Sequence, residues 1–388
     1  MPSAGAAGVA GNPLEQRQRR QPRRTPRGQR HGRQRHRGGG KRRRADGSQH
    51  RPGDDPLRAA ERIGLGTAWI SERYNKKEAC TLSGAAAAVS DRITIATAAT
   101  NHNTRHPMVS AGYARTMQSL SDGRFVLGIG RGITMLQDAF GISHVTTAQM
   151  EDFAGIMRRL FRGEVVFGHD GPAGSWPILH LDAELDEYLP MAITAFGEQT
   201  LELGGRCFDH VVLHTFFTDE TTERCVRTVK TAAEKAGRDP DDVKVWSCFA
   251  TVGDHIHEPQ RLMKLVGRLG TYLQGYGDLL VRTNGWDPAV LERFLADPVV
   301  SSVRGLDISA TTDQLEHVAT LIPDEWLAAS AVGDAATCAA RVNDQFAQGA
   351  DGVILHASTP AQLAPVVDAY REVRDDARFA GRSTNPGR

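Results

Sequence analysis

The sequence has no closely spaced cysteines. Its five, Cys80, Cys207, Cys225, Cys248 and Cys338, come no nearer than 18 residues to one another. A zinc module needs a CxxC-type pair, and a disulfide scaffold needs dense cysteine, so neither organises this chain. Reduced thiols, as in a cytoplasmic protein, are the expectation. No apolar run approaches the roughly 18 residues of a membrane span. The N-terminus lacks an apolar h-region, so no secretory signal is expected.

Carboxylates are almost missing from residues 1–51. Fourteen arginines and one lysine face only Glu15 and Asp46 there. The whole chain nets +1, so the remainder is acidic. An acidic body argues against nucleic acid as its main ligand and suits a small-molecule enzyme. Residues 1–53 offer almost nothing to bury, and disorder is the expectation. Their Arg, Gly, Gln, Pro and His content reads best as GC-rich codons translated out of frame. A basic tail for nucleic acid and an inert extension are the alternatives.

What is present from residue 54 on is a regular rhythm. Asp55-Pro56 opens a helix with Leu57, Ala60 and Ile63 at helical spacing. Strands are expected near 67, 93, 124, 191, 210, 243 and 352, with helices between them. ITIATAAT (93–100) carries no charge, as a strand covered on both faces requires. Residues 256–326 break the rhythm as a helical insertion, a helix closes the domain near 375, and 376–388 reads as a flexible tail. The alternation predicts an α/β fold, a (β/α)8 TIM-type barrel, with a doubly wound open sheet as the runner-up. Seven strands are one short of eight, and the strand that should precede the first helix is missing.

A barrel binds its ligands on the loops after its strands. Those loops read SERYNKK (71–77), NHNTRH (101–106), GRGITMLQD (130–138) and GEQT (197–200). GIGRG (128–132) lacks a phosphate-loop ending, and its glycines suit a tight corner. Phe196-Gly197-Glu198-Gln199-Thr200 leads from a strand into a helix N-terminus, a natural phosphate site. His102 and His106 have a metal-like spacing, but Pro107 disfavours the helix it needs, so no metal is expected. His214 reads as a satisfied core histidine or a weak site candidate.

The stretches ERIGLGTAWISERY (61–74), RITIATAATNHNTRHP (92–107), SLSDGRFVLGIGRG (119–132) and AFGEQTLELGGRCFDHVV (195–212) resemble the luciferase-like monooxygenase superfamily. Its branch using the deazaflavin coenzyme F420 is the closer fit, with the FMN branch as the alternative. The resemblance spans about 54–375. It implies an oxidoreductase moving a hydride between F420 and a small organic substrate, with a homodimer left open. It places Glu72 at the family's acidic position, with Arg73 where a His is usual. It implies a non-proline cis peptide at Thr97–Ala98 and a ring contact from Thr100. Phe196, Gly197, Gln199 and Thr200 match the segment that grips the cofactor phosphate. Glu72, His102 and Tyr74 are the proton-partner candidates. Ile133 stands where sugar-phosphate dehydrogenases of the family carry a carboxylate, which argues against that reaction. An inactive barrel without its first strand is the reading from another class.

Overall fold

Strands form where β-branched and apolar residues run without charge, and helices where Ala and amphipathic spacing return. A computed structural model describes residues 55–181 and 188–380. The basic segment 1–53 and the end of the tail lie outside the described residues, and with them the place of the missing first strand. The strands are β1 (Thr67–Ile70), β2 (Thr94–Thr97), β3 (Phe125–Ile129), β4 (Val166–Gly171), β5 (Gly174–Leu179), β6 (Met191–Thr194), β7 (His210–Val212), β8 (Lys244–Gly253), β9 (Ala331–Gly333) and β10 (Gly352–His356). Helices α1 (Pro56–Arg62), α2 (Ala79–Val89), α3 (Pro107–Leu120), α4 (Thr134–Phe140), α5 (Thr147–Phe161), α6 (Glu198–Cys207) and α7 (Asp219–Lys235) alternate with them. Then come α8 (Glu258–Leu262), a π-helical turn (Met263–Gly267) and α9 (Arg268–Asn284). Short helices α10 (Pro288–Ala296), α11 (Pro298–Ser302), α12 (Leu306–Ser309), α13 (Thr312–Ala319) and α14 (Asp324–Leu327) follow. The chain ends on α15 (Ala335–Ala347) and α16 (Pro360–Val373).

The main sheet runs β1-β2-β3-β6-β7-β8-β10, every pair parallel, with β9 pairing the far end of β8. These seven are the strands expected from sequence. Their spatial order follows their chain order, as in a barrel, whereas a doubly wound sheet reverses direction midway. The antiparallel hairpin β4–β5 and the short β9 were not expected. β4 has a single buried position, Val166, and carries Gly168 and Gly171, which hides its strand signal.

Among the described residues nothing pairs with the outer edges of β1 and β10. All four β1 residues are only half-buried, whereas β3 is wholly buried. The helices beside these edges do meet. α1 packs on α16 and α2, and the Arg371 guanidinium donates to Ile63 O. Inside the sheet's curl, Trp69 of β1 meets Trp246 of β8 edge-on, with centroids 5.1 Å apart. Gly352 of β10 is small because a Cβ there would stand 2.4 Å from the Trp246 ring.

Candidate active site at the strand ends

Parallel strands deliver their loops to one end of the sheet, so residues far apart in sequence meet there. After β1 the chain makes a tight turn. Arg73 N–H donates to Lys77 O and Lys77 N–H to Arg73 O, both at 3.0 Å. Glu72 points inward. Its carboxylate accepts from Thr100 Oγ1 at 2.5 Å and from the Arg105 guanidinium at 2.6 and 3.1 Å. Burial alone would raise the Glu72 pKa, but the bonds from Arg105 and Thr100 outweigh it and hold the carboxyl below its usual value. Tyr74 stands beside this network with its hydroxyl buried and without a partner among the described residues.

After β2 the backbone carries a cis peptide. The cis peptide expected at Thr97–Ala98 lies one residue on, at Ala98–Ala99. Thr97 is still locked in the sheet. Its hydroxyl donates to Gly128 O and accepts from Gly128 N–H, both at 2.7 Å. Thr97 is wholly buried. The glycines of GIGRG explain themselves here. A Cβ on Gly128 would fall 1.7 Å from Thr97 O, and one on Gly130 2.8 Å from Ala99 Cβ. They allow close approach of strands and do not cradle a phosphate.

His102 is also buried, packed on Phe153 with ring centroids 5.0 Å apart. Burial, helped by Arg131, pushes it down to about 4, so it is neutral. Ile133 is partly exposed on the loop after β3. No cluster of three or more His, Cys, Asp or Glu suited to a metal occurs among the described residues.

After β6 comes the N-terminus of α6. Gly197 caps it with no side-chain bond, leaving the first-turn amides facing outward. Thr200 is buried there, while Gln199 is exposed. Arg131, on the loop after β3, reaches across. It donates to Thr200 Oγ1 at 3.1 Å, Thr147 Oγ1 at 2.8 Å and Val145 O at 2.7 Å. It is half-buried and makes no ion pair among the described residues. Sequence reasoning passed over Arg131 because the neighbouring glycines drew the attention. Its place directly after a strand was the available signal.

Phe196 begins an aromatic cluster. Its ring lies 4.5 Å from His214 and 5.7 Å from Tyr276. His214 Nδ1–H donates to Thr215 O at 2.9 Å, so its Nε2 accepts from the Tyr276 hydroxyl, also at 2.9 Å. Burial pushes His214 down to about 4 and Tyr276 well above its usual value. Tyr276 departs from helical geometry inside α9, with φ −160° and ψ 38°. From sequence, His214 is only a weak candidate and Tyr276 only part of the insertion. Their pairing is tertiary and has no local pattern. So the strand ends bring together Glu72, Arg73, Tyr74, Thr100, Phe196, Gly197 and Thr200. His102 turns into the core, and Thr97 serves the sheet.

Comparisons with known proteins place the chain among relatives of the same fold. The 5,10-methylenetetrahydromethanopterin reductase of Methanolobus tindarius is 29% identical over 234 residues, 59% of this chain and 70% of that protein. The structure of a coenzyme F420-dependent tetrahydromethanopterin reductase from Methanopyrus kandleri superposes with a TM-score of 0.69 at 18% identity, over 84% of this chain and 97% of that one. An F420-dependent secondary alcohol dehydrogenase gives a TM-score of 0.62 at 17% identity, over 82% and 94%. A Baeyer–Villiger monooxygenase component holding FMN, from Pseudomonas putida, shares the fold more distantly, at 0.54 and 20% identity over 84% and 94%. The model of the luciferase-like monooxygenase family matches residues 44–352. This chain therefore belongs to the luciferase-like monooxygenase family, a family of oxidoreductase enzymes.

Proposed function

We propose that the chain is an F420-dependent oxidoreductase acting on a small organic substrate. The observation that carries this reading is Arg131, a guanidinium with no carboxylate partner among the described residues, beside the uncapped N-terminus of α6. That pair is a ready site for a cofactor phosphate. The two solved structures named for F420 favour the deazaflavin over FMN.

When bound, the deazaflavin supplies a two-electron hydride centre. Arg131, Gly197, Gln199 and Thr200 would hold its phosphate, and Ala98, Ala99 and Thr100 would lie along its ring. Phe196 and Tyr276 would help exclude water. Glu72 stays ionised against Arg105 and fixes Thr100, so it braces the site and does not donate a proton. The Tyr276 hydroxyl is held by His214 Nε2 in the aromatic cluster beside Phe196. Arg73 faces the substrate side.

Fluorescence titration with F420 and with FMN tests this. F420 should saturate the protein, and Arg131→Ala should weaken that binding about tenfold, or about 1.4 kcal/mol. Tight FMN binding without F420 binding overturns the choice of cofactor. An unchanged Arg131→Ala variant overturns the phosphate site.

A further inference from the structure

Four cations gather on the side of the mouth next to β1 and β10. Arg73 and Lys77 bracket the turn after β1. Lys264 lies on the π-helical turn, and its ammonium donates to Ala357 O just beyond β10. Such turns widen a helix locally and often mark functional sites. Arg268 begins α9. Its Nη1 pairs with Asp307 Oδ2 at 2.7 Å, and its guanidinium carbon lies 5.9 Å from the centre of the Tyr272 ring. Its Nε is buried with no partner among the described residues. Tyr272 stacks on Tyr276 with centroids 5.4 Å apart, which ties this cluster to the His214–Tyr276 pair and to Phe196.

The compensating charge is short. Asp307 is the carboxylate paired with this cluster among the described residues. Glu72 and Glu78, which line the hollow beside Lys77, are both paired with Arg105. Mutual repulsion is felt. Lys77 is pushed down by burial and then by Arg73 and Arg268, and Lys264 by burial and then by Arg268. His356, at the end of β10, is pushed down to about 3, first by burial and then by Arg268, His214, Lys264 and Arg73. Its Nδ1 is buried and has no partner among the described residues. Arg73 and Lys77 make no ion pair among the described residues. Evolving four cations into one corner costs stability unless an anion visits it.

We infer that Arg73, Lys77, Lys264 and Arg268 form an oxyanion subsite, so the substrate carries a carboxylate or a phosphate held beside the proposed hydride-transfer site. This rests on the proposed function for its link to the reaction, but not for the binding itself. Its residues follow β1 or lie in the insertion, whereas Arg131 and the α6 N-terminus follow β3 and β6, so the two sets share no residue. With Ile133 in place of the usual carboxylate, the anion anchors the substrate and takes no part in proton transfer.

The test is calorimetric titration of the full chain with inorganic phosphate and with succinate, each with and without saturating F420. The same titrations follow on Lys264→Met, Lys77→Met and Lys264→Arg, with F420 affinity and melting temperature measured for each. At least one oxyanion should bind, and the stronger of the two names the substrate's group. Lys264→Met and Lys77→Met should each weaken it tenfold or more, while Lys264→Arg restores it and F420 affinity changes less than twofold. Absence of oxyanion binding in a protein that binds F420 overturns the subsite. So does an affinity unchanged in both methionine variants. If phosphate competes with F420 and the methionine variants lose F420, the cluster is the cofactor's own anion site and the inference fails. If F420 never binds but the oxyanions do, the subsite stands and the proposed function fails.

Discussion

Four histidines tell the most at the level of single residues. His102, His210 and His214 are pushed down to about 4 and His356 to about 3, burial being the largest cause in each. A histidine buried neutral takes up its proton only when the chain unfolds. Its contribution is therefore constant above the usual value of 6.5 and is lost as pH falls through the interval down to about 4. The protein should lose stability steeply between pH 6.5 and 4, with unfolding taking up about four protons near pH 5. Urea unfolding followed across that range checks this. A midpoint that stays level from pH 7 to pH 5 would contradict it. Little of this was legible in the sequence. His214 looks the same in a list of residues whether it is solvated or sealed among Phe196, Tyr272 and Tyr276. Arg73 and the α6 entry were legible, because both sit directly after strands whose pattern is clear.

Among the elements, α1 is the one most in need of explanation. It is a seven-residue helix with no described strand before it. Asp55 caps it, its side chain accepting from Leu57 N–H at 2.9 Å. Glu61 fastens it. A single carboxylate oxygen accepts from the amides of Asp91, Arg92 and Ile93 at 2.9, 2.7 and 2.9 Å. Arg58 adds a bond to Val89 O at 3.0 Å. Glu61→Ala should therefore cost about 2–3 kcal/mol, since it leaves three amides without their acceptor. Glu61→Gln should cost less, because an amide oxygen can still accept. Hydrogen exchange at residues 91–93 checks this, with a sharp rise expected in the alanine variant alone. The helix itself was plain in the sequence from its Asp-Pro start. Its fastening was not, because the partner amides lie thirty residues away.

Over the whole molecule, the strand rhythm made the barrel readable and the helical insertion hid half of the site. Each of the seven main strands carries its own apolar signal, so their order followed directly. Lys264, Arg268, Tyr272 and Tyr276 lie in helices whose local pattern says only that they are helical. Their convergence on Arg73 and His356 exists only once the sheet has curled. The departures from expectation share that cause. The cis bond sits one residue later than expected, at Ala98–Ala99, while Thr97 is held by Gly128 on the neighbouring strand. The sheet's unpaired edges at β1 and β10, among the described residues, flank the subsite and leave the opposite wall, β2, β3 and β6, intact. That wall carries the proposed cofactor site. Hydrogen exchange of the full chain with and without F420 tests this claim most directly. Slowed exchange at residues 98–102, 131–133 and 196–200 is the predicted result. Protection confined to other segments, or produced at these three by FMN and not by F420, would contradict it.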